Sequence, residues 1–307
     1  MINSPLSIPS FAKINLNLRI LGKRPDNYHE IQTVLQTVSL HDLLIVRTSD
    51  GKISFTCDDP SMPVDDSNLV VKAATALQET FRVKSSCEIH LAKRIPIQAG
   101  LGGGSSNAAV TLLALTRVWN LTATPRDLLE LAVTLGADVP FFLEGGCALA
   151  TGIGTELTPL PDLPQQQVLI VTPSVAVSTA TAYQALKAPA LTTSDSVFRL
   201  AISRTQAIFS DSKQWVLCDH LENDFERVIF DIEPEIRRVK EALIQAGARC
   251  ALLAGSGSSV FGIFDNNEVL SSAAQALQQE SGWRIFSCVT LSRDEYLHAL
   301  GSAIPGR

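Results

Sequence analysis

The sequence predicts a two-domain chain of mixed α-helical and β-strand structure, and three observations support this prediction. Its length of 307 residues suits two domains. Residues 87–119 read as a strand, a glycine-rich loop and a helix in direct succession. Residues 158–167 carry three prolines and three glutamines with little periodicity, which is typical of a linker. We therefore predict domains over residues 1–160 and 161–307.

The overall composition excludes several classes of partner. The net charge is −6 and no basic run stands out, so neither nucleic acid nor an anionic membrane is expected as a partner. No apolar stretch reaches the length of a membrane span, and no secretory signal is evident. The six cysteines occur singly, which argues against a zinc or redox site. We expect a cytoplasmic protein whose cysteines are buried thiols.

The glycine-rich loop is the feature around which the chain is organised. Four of five consecutive positions in it are glycine, at Gly100, Gly102, Gly103 and Gly104. A strand over residues 87–95 precedes the loop, and a helix capped by Ser105 or Ser106 follows it. Free amides at a helix start and glycines without side chains favour a bound polyphosphate. The alternative is a flexible hinge, and the loop matches neither a Walker A motif nor a dinucleotide fingerprint.

The first predicted strand, residues 7–21, alternates between apolar and polar side chains. One face carries Ile14, Leu16, Leu18 and Ile20, and the other carries Lys13, Asn15, Asn17 and Arg19. The polar face has three possible roles, which are a solvated surface, a phosphate contact or the lining of a cleft. A turn at residues 24–30 then presents Tyr28 and His29, which could stack on a base or pack back on the sheet.

The remaining elements of the first half follow from local signals. Strands are predicted over residues 31–40, 43–48 and 52–57, and a helix after a cap at Ser67 or Asn68. Another helix, residues 126–135, is opened by Thr124 and Pro125 and ended by a glycine. Asp138 then stands among apolar residues, where a carboxylate requires a cation, a metal or a role in proton transfer. The alternative is a carboxylate that is satisfied by backbone amides.

The second half alternates strands and helices around another glycine turn. Predicted strands cover residues 168–171, 251–254, 260–264 and 283–291, and predicted helices cover residues 197–209, 234–246 and 268–279. A further helix is capped near Ser178 or Thr179. Residues 255–259 form a glycine-serine turn that needs no function as part of a hairpin.

Five segments together resemble the GHMP kinase superfamily. They are A-K-I-N-L-N-L (12–18), P-D-N-Y-H-E-I (25–31), P-I-Q-A-G-L-G-G-G-S-S-N-A-A (96–109), G-A-D-V-P-F-F (136–142) and A-G-S-G-S-S-V-F (254–261). The resemblance implies an α+β, two-domain GHMP kinase fold. Its N-terminal α+β domain has a left-handed β-α-β unit, its C-terminal domain is ferredoxin-like, and the site lies between them.

The resemblance also implies roles for individual residues. Those of the ATP phosphate loop would be Pro96, Ile97, Gln98, Ala99, Gly100, Leu101, Gly102, Gly103, Gly104, Ser105 and Ser106, and Asn68 would lie near the adenosine. Asp138 would take the proton of the substrate hydroxyl, with Lys13 as its cationic partner. The substrate pocket would be lined by Asn15, Tyr28, His29, Thr179 and Tyr183. ATP is the expected phosphoryl donor, with Mg²⁺, for which the motifs assign no ligand; they assign no oligomeric state either.

The segments around Lys13, Tyr28-His29 and Asp138 are similar to one branch of this superfamily. That branch phosphorylates the 2-hydroxyl of a cytidyl-diphosphate methylerythritol in the non-mevalonate route to isoprenoid precursors. The alternatives are a kinase of the mevalonate or homoserine type, or a non-catalytic nucleotide-binding protein. Two positions depart from the family pattern, because Asn27 replaces a glycine and Gln98 replaces a smaller residue.

Overall fold

The computed structural model describes residues 5–191, 218 and 221–301. Its strands in chain order are β1 (Leu6–Lys23), β2 (His29–Ser49), β3 (Ser54–Cys57), β4 (Ser86–Ala92), β5 (Cys147–Thr151), β6 (Glu156–Pro159), β7 (Gln167–Thr172), β8 (Glu222–Asn223), β9 (Cys250–Leu253), β10 (Val260–Phe264) and β11 (Arg284–Val289). Its helices are α1 (Leu69–Thr80), α2 (Gly103–Val118), α3 (Pro125–Leu135), α4 (Thr179–Leu186), α5 (Glu226–Ile232), α6 (Pro234–Gln245), α7 (Asn267–Leu277) and α8 (Arg293–Leu300). A 3₁₀ turn, Pro140–Leu143, follows α3.

The first sheet is built on a long antiparallel pair of strands. Its order is β3-β4-β2-β1-β8, and β5 pairs with both β2 and β6. The sequence predicted separate strands over residues 31–40 and 43–48, but these are one continuous strand, β2. A β-bulge explains the difference, because Phe11 pairs with His41 while Ala12 pairs with Val38. The extra residues on β2 bend the strand without ending it.

Helix caps in the first half mostly follow the predicted residues. Asn68 caps α1 and Thr124 caps α3, where it forms a reciprocal capping box with Asp127. The prediction for α2 is wrong, since its N-cap is Gly102 rather than Ser105 or Ser106. Gly102 has a φ of 70°, a left-handed conformation that glycine adopts at little cost, so the helix starts before the serines are reached.

The second sheet has the order β11-β7-β10-β9, and all its pairings are antiparallel. β7, β9, β10 and β11 are the first to fourth strands of a β-α-β-β-α-β unit, and they lie in the order fourth, first, third, second. The C-terminal domain is therefore ferredoxin-like, as expected. Ser178 caps α4, one of the two predicted residues. The predicted helix at 197–209 lies outside the described residues. Sequence reasoning missed β6, β8, α5 and α8.

The two sheets share one continuous interior. Ile14 of β1 belongs to the same buried cluster as Ile170 of β7 and Phe261 of β10. From the second half, β8 pairs with β1, and Tyr296 of α8 packs in the core of the first sheet. The domain boundary near residue 160 stays a prediction. No helix within the described residues combines the length and apolar character that crossing a bilayer requires.

One pair of cysteines is bonded, although all six were predicted to be thiols. Cys218 and Cys250 are joined by a disulfide, with Cα atoms 5.5 Å apart, so the prediction of separate thiols is wrong for them. They are 32 residues apart and form no spacing motif, so only the folded chain brings them together. Burial raises the pKa of the Cys87, Cys147 and Cys288 thiols to about 12, as expected for inert core thiols.

Candidate active site

The glycine loop packs closely on three segments, namely β1, the 3₁₀ turn and the residue that follows β9. The amide of Lys13 donates to the carbonyl of Leu101 over 3.0 Å. A Cβ at Gly102 would lie 2.9 Å from Phe142 Cζ, and one at Gly100 would lie 1.9 Å from the carbonyl oxygen of Ala254. Since real Cβ atoms are not found that close to other atoms, glycine is required at both positions.

The start of α2 presents only part of the predicted loop to solvent. Gly104 is exposed and Ser105 is half-buried. Ser106 is fully buried, and its hydroxyl accepts a hydrogen bond from Ser10 over 2.8 Å. Because the first-turn amides of a helix have no intrahelical partner, an anion could approach the start of α2 beside the exposed Gly104.

The glycine-serine turn between β9 and β10 faces this loop, a contact that sequence reasoning missed. The amide of Ser259 donates to the carbonyl of Ala99 over 3.2 Å. A Cβ at Gly255 would lie 3.0 Å from the carbonyl oxygen of Gly100 and 3.4 Å from Lys13 Nζ. The turn does form the predicted hairpin, and in addition it closes the site from the second domain.

Lys13 and Asp138 come together beside the two glycine turns. Lys13 Nζ lies 3.5 Å from Asp138 Oδ2, and the two side chains are 5% and 38% exposed. Lys13 also donates to Asn15 Oδ1 over 2.8 Å, and Asn15 donates to Thr33 Oγ1 over 2.8 Å. The polar face of β1 is therefore not a solvated surface, because Lys13, Asn15 and Asn17 are all buried.

Aromatic rings stack on the β1–β2 side of α4. The His29 and Tyr183 rings are stacked with centroids 4.5 Å apart, and Phe225 meets Tyr183 edge-on at 4.9 Å. Burial and the nearby Lys23 lower the pKa of His29, so the ring is neutral at pH 7. Burial and the charge of Asp138 raise the pKa of Tyr183 to about 12. Phe225 was missed, because nothing in its local sequence distinguishes it from a core residue.

The other predicted residues are placed less centrally. Tyr28, which directly precedes His29 in the sequence, is 61% exposed on its turn. Asn68 uses its side chain locally, accepting from the amide of Val70 and donating to the carbonyl of Pro63. The Thr179 hydroxyl lies 3.0 Å from that of Ser256 in the glycine-serine turn. Gln98 is exposed at a φ of 54° and Asn27 has a φ of 69°, so both lie in the left-handed region, and Asn27 keeps the backbone conformation of the glycine that it replaces.

Both halves of the chain match models of one kinase superfamily. Residues 68–146 match the GHMP kinases N terminal domain, and residues 213–282 match the GHMP kinases C terminal domain. The 4-diphosphocytidyl-2-C-methyl-D-erythritol kinase of Prosthecochloris aestuarii is 43% identical over 273 residues, covering 89% of this chain and 93% of the relative. The enzyme of the same name from Chlorobium phaeobacteroides is 43% identical over 285 residues, covering 91% and 93%.

Solved structures show the same relationship. A crystal structure of a 4-(cytidine 5'-diphospho)-2C-methyl-D-erythritol kinase superposes with a TM-score of 0.76 at 32% identity, covering 93% of this chain and 99% of the other. The homoserine kinase of Cytophaga hutchinsonii has a TM-score of 0.73 at 20% identity, covering 95% and 96%, and shows the shared fold alone. This chain belongs to the 4-diphosphocytidyl-2-C-methyl-D-erythritol kinase family of the GHMP kinases.

Proposed function

We propose that this chain transfers the γ-phosphoryl group of ATP to the 2-hydroxyl of 4-diphosphocytidyl-2-C-methyl-D-erythritol. The products are the 2-phosphate and ADP, in the non-mevalonate synthesis of isoprenoid precursors. The observation that carries the proposal is the pairing of Lys13 Nζ with Asp138 Oδ2 at 3.5 Å, next to both glycine turns. We expect the reaction to occur in the cytoplasm, with small molecules rather than nucleic acid as partners.

The nucleotide side of the site supports phosphoryl transfer. A loose transition state leaves the protein mainly with positioning the reactants and stabilising charge. The amides of residues 98–104 and the start of α2 would hold the β- and γ-phosphates. The ammonium of Lys13, adjacent to Gly255, adds a fixed positive charge where negative charge develops.

Asp138 is positioned to act as the general base. The alcohol oxygen forms a bond to the γ-phosphorus, the bond to the β,γ-bridging oxygen breaks, and ADP leaves with that electron pair. The hydroxyl proton passes to the carboxylate of Asp138. Its 38% exposure leaves the carboxylate accessible to a substrate, and the Lys13 ammonium lies 3.5 Å from its Oδ2.

Magnesium is expected to accompany ATP. The described residues contain no group of three or more His, Cys, Asp or Glu side chains that could hold a metal. Mg²⁺ commonly keeps several waters and binds substrate phosphates with only one or two protein oxygens, so the site is compatible with an ion carried by the nucleotide. Ser105 is half-buried, and its hydroxyl is the protein oxygen that we assign to the ion. The ion would offset phosphate charge.

The ring cluster supports a substrate with a base. His29 and Tyr183 are already stacked on each other, and both present aromatic surface on which cytosine could stack. Thr179 lies one helical turn before Tyr183 in α4, and Asn15 is linked to Asp138 through Lys13, so both would add polar contacts to the substrate. The exposed Tyr28 is next to His29 in the sequence. A small aliphatic alcohol such as mevalonate or homoserine has no base for these rings to bind.

A substrate panel tests the proposal. ADP release would be measured with ATP, Mg²⁺ and, in turn, the cytidyl compound, mevalonate and homoserine. We expect turnover with the cytidyl compound alone. Turnover with mevalonate or homoserine, and none with the cytidyl compound, would show that the proposed substrate class is wrong. ATP binding by calorimetry without ADP release on any alcohol would indicate a non-catalytic nucleotide-binding protein.

A further inference from the structure

A fully buried carboxylate lies directly behind the glycine loop. Asp42 of β2 has no solvent exposure, and its ion-pair partner Lys93 has a side-chain exposure of 3%. Asp42 Oδ1 accepts from the amides of Arg94 and Ile95 over 2.7 and 2.8 Å. Asp42 Oδ2 accepts from Lys93 Nζ over 2.6 Å and from Asn107 Nδ2 over 2.9 Å. One carboxylate therefore satisfies four donors.

These donors flank the glycine loop on both sides. Residues 93–95 lead directly into the loop, and Asn107 belongs to the early part of α2, which leaves it. Asn107 Nδ2 also donates to Ser10 Oγ over 2.9 Å, and Ser10 in turn donates to Ser106. The entry and the exit of the loop are thus held to β1 and β2 by the same buried polar group.

The start of α2 also packs against this ion pair. A Cβ at Gly103 would lie 3.0 Å from Ile95 Cγ2 and 3.2 Å from Lys93 Nζ. The Lys93 ammonium donates to the carbonyl of Ile95 over 2.6 Å as well. The position of the first-turn amides is therefore fixed by the same contacts that hold the incoming chain.

The energetics of a buried ion pair make a purely stabilising role a poor explanation. Desolvating two charges costs several kcal/mol per ion as an order of magnitude, and apolar residues of similar volume often serve stability as well or better. What apolar residues cannot do is accept hydrogen bonds from two consecutive backbone amides. By accepting from both amides, Asp42 fixes the backbone path of residues 94–95.

We infer that Asp42 is a positioning residue that sets the affinity of the glycine loop for the phosphates of ATP. It is fully buried, so it acts through the loop and not by contact with a ligand. The inference rests on the proposed function, because it assigns the loop to the nucleotide. Misplacing bound groups by about 1 Å can cost about 100-fold in rate, and we expect loss of this anchor to weaken nucleotide binding selectively.

Two double variants separate the hydrogen bonds to the loop from the ion pair. Asp42→Leu with Lys93→Met removes both charges and the acceptor for the two amides. Asp42→Asn with Lys93→Met removes both charges but keeps an acceptor oxygen at the same place. Each avoids the single Asp42 substitution, which would leave Lys93 buried and unpaired. Leu270→Ala, in the core of the second domain, is the control for general loss of stability.

Calorimetry with ADP and steady-state kinetics with both substrates give the readout. For the leucine variant we expect the Kd for ADP and the KM for ATP to rise about 10-fold or more, within the range that misplacement allows. The KM for the alcohol should stay within about twofold, and the asparagine variant should recover most of the nucleotide affinity. Leu270→Ala should lower the melting temperature and leave both KM values unchanged.

Three results would overturn the inference. They are wild-type nucleotide affinity in the leucine variant, equal impairment in the asparagine variant, or a parallel rise of both KM values. If the leucine variant does not fold, Ser10→Ala provides the test, since it removes the two hydrogen bonds that link Ser10 to Asn107 and Ser106. It should raise the Kd for ADP about threefold to tenfold; an unchanged Kd would contradict the inference. If the wild-type chain itself does not bind ADP or ATP, the proposed function fails instead.

Discussion

The ammonium nitrogen of Lys13 lies 3.5 Å from Oδ2 of Asp138, although 125 residues of sequence separate the two side chains. Lys13 is held from the other side by Asn15 and is almost fully buried, so its position is fixed before any substrate arrives. Asp138 is the more accessible partner. We therefore propose that the carboxylate takes the proton and that the lysine stabilises developing charge.

Removing the charge of Asp138 should therefore slow catalysis strongly without weakening nucleotide binding. For Asp138→Asn we expect kcat to fall about 10²–10⁴-fold, the usual contribution of a general base, with the Kd for ADP unchanged. ADP release and calorimetry measure the two quantities. Asp231→Asn is the matched control, because that carboxylate is 74% exposed and pairs with Arg237 on the surface. Near wild-type kcat in Asp138→Asn would remove this residue from the mechanism.

Local signals explain the part of the fold and site that could be predicted from the sequence. The cap at Thr124, the proline after it and the glycine at residue 136 bound α3 correctly, because each acts within a single helical turn. The glycine loop and Asp138 were also recognisable, since their residue types are unusual in their surroundings. Such features depend only on neighbours in the sequence.

The missed features depend on contacts between distant segments. Ser106 and Ser105 are adjacent and chemically identical, yet only the packing of α2 on β1 buries the hydroxyl of Ser106 against Ser10. The role of the glycine-serine turn depends on its contact with Ala99, 160 residues earlier. Alternation in β1 left a solvated polar face open as one of three roles, but Lys13, Asn15 and Asn17 of that face are buried, and the apolar face packs on the second sheet.

The stacked pair of His29 and Tyr183 predicts a selective effect on the alcohol substrate. Stacking on a base is worth about 1–3 kcal/mol by alanine substitution, so His29→Ala should raise the KM for the cytidyl compound about 10-fold. The KM for ATP should stay unchanged. His298→Ala, on the exposed side of α8, is the control. Equal effects on the two KM values would argue against a ring that binds the base.

The lowered pKa of His29 predicts a dependence on pH with a definite sign. Burial and Lys23 favour the neutral ring in the folded protein, whereas the ring titrates near its usual pKa of about 6.5 when unfolded. The stability that the folded protein gains from the neutral ring is therefore fully present above about pH 6.5, and it is lost as the pH falls through the lowered pKa of His29. We expect the KM for the cytidyl compound to rise in that acidic range. His29→Phe should flatten the profile, and an unchanged profile in that variant would assign the titration to another group.

Gln98 allows backbone strain in the glycine loop to be measured directly. Its φ of 54° is left-handed, which costs a residue with a Cβ about 1–2 kcal/mol. Gln98→Ala removes the long side chain and keeps the strain, while Gln98→Gly removes both. We expect the glycine variant to be more stable than the alanine variant by about 1 kcal/mol in chemical denaturation. A lower KM for ATP in both variants would show that the glutamine side chain covers the phosphates.

Asn223 links the glycine-serine turn to the aromatic rings through a single buried side chain. Its Nδ2 donates to the carbonyls of Leu253 and Gly255 over 2.8 and 2.7 Å, and its Oδ1 accepts from the amide of Phe225 over 2.9 Å. Asn223→Asp would place a charged oxygen against two carbonyls with no change in size. We expect a loss of at least about 3 kcal/mol of stability, the cost of an unpaired buried charge.

The same substitution should raise the KM for both substrates, because Gly255 faces Lys13 and the glycine loop while Phe225 supports Tyr183. This double effect distinguishes Asn223 from Asp42, whose loss should affect the nucleotide alone. Asn266→Asp is the matched control, since Asn266 caps α7 at the surface and aspartate caps helices equally well. Thermal unfolding and initial rates over pairs of substrate concentrations give the measurement. A variant at residue 223 as stable and active as the control would show that the turn is held in place without this side chain.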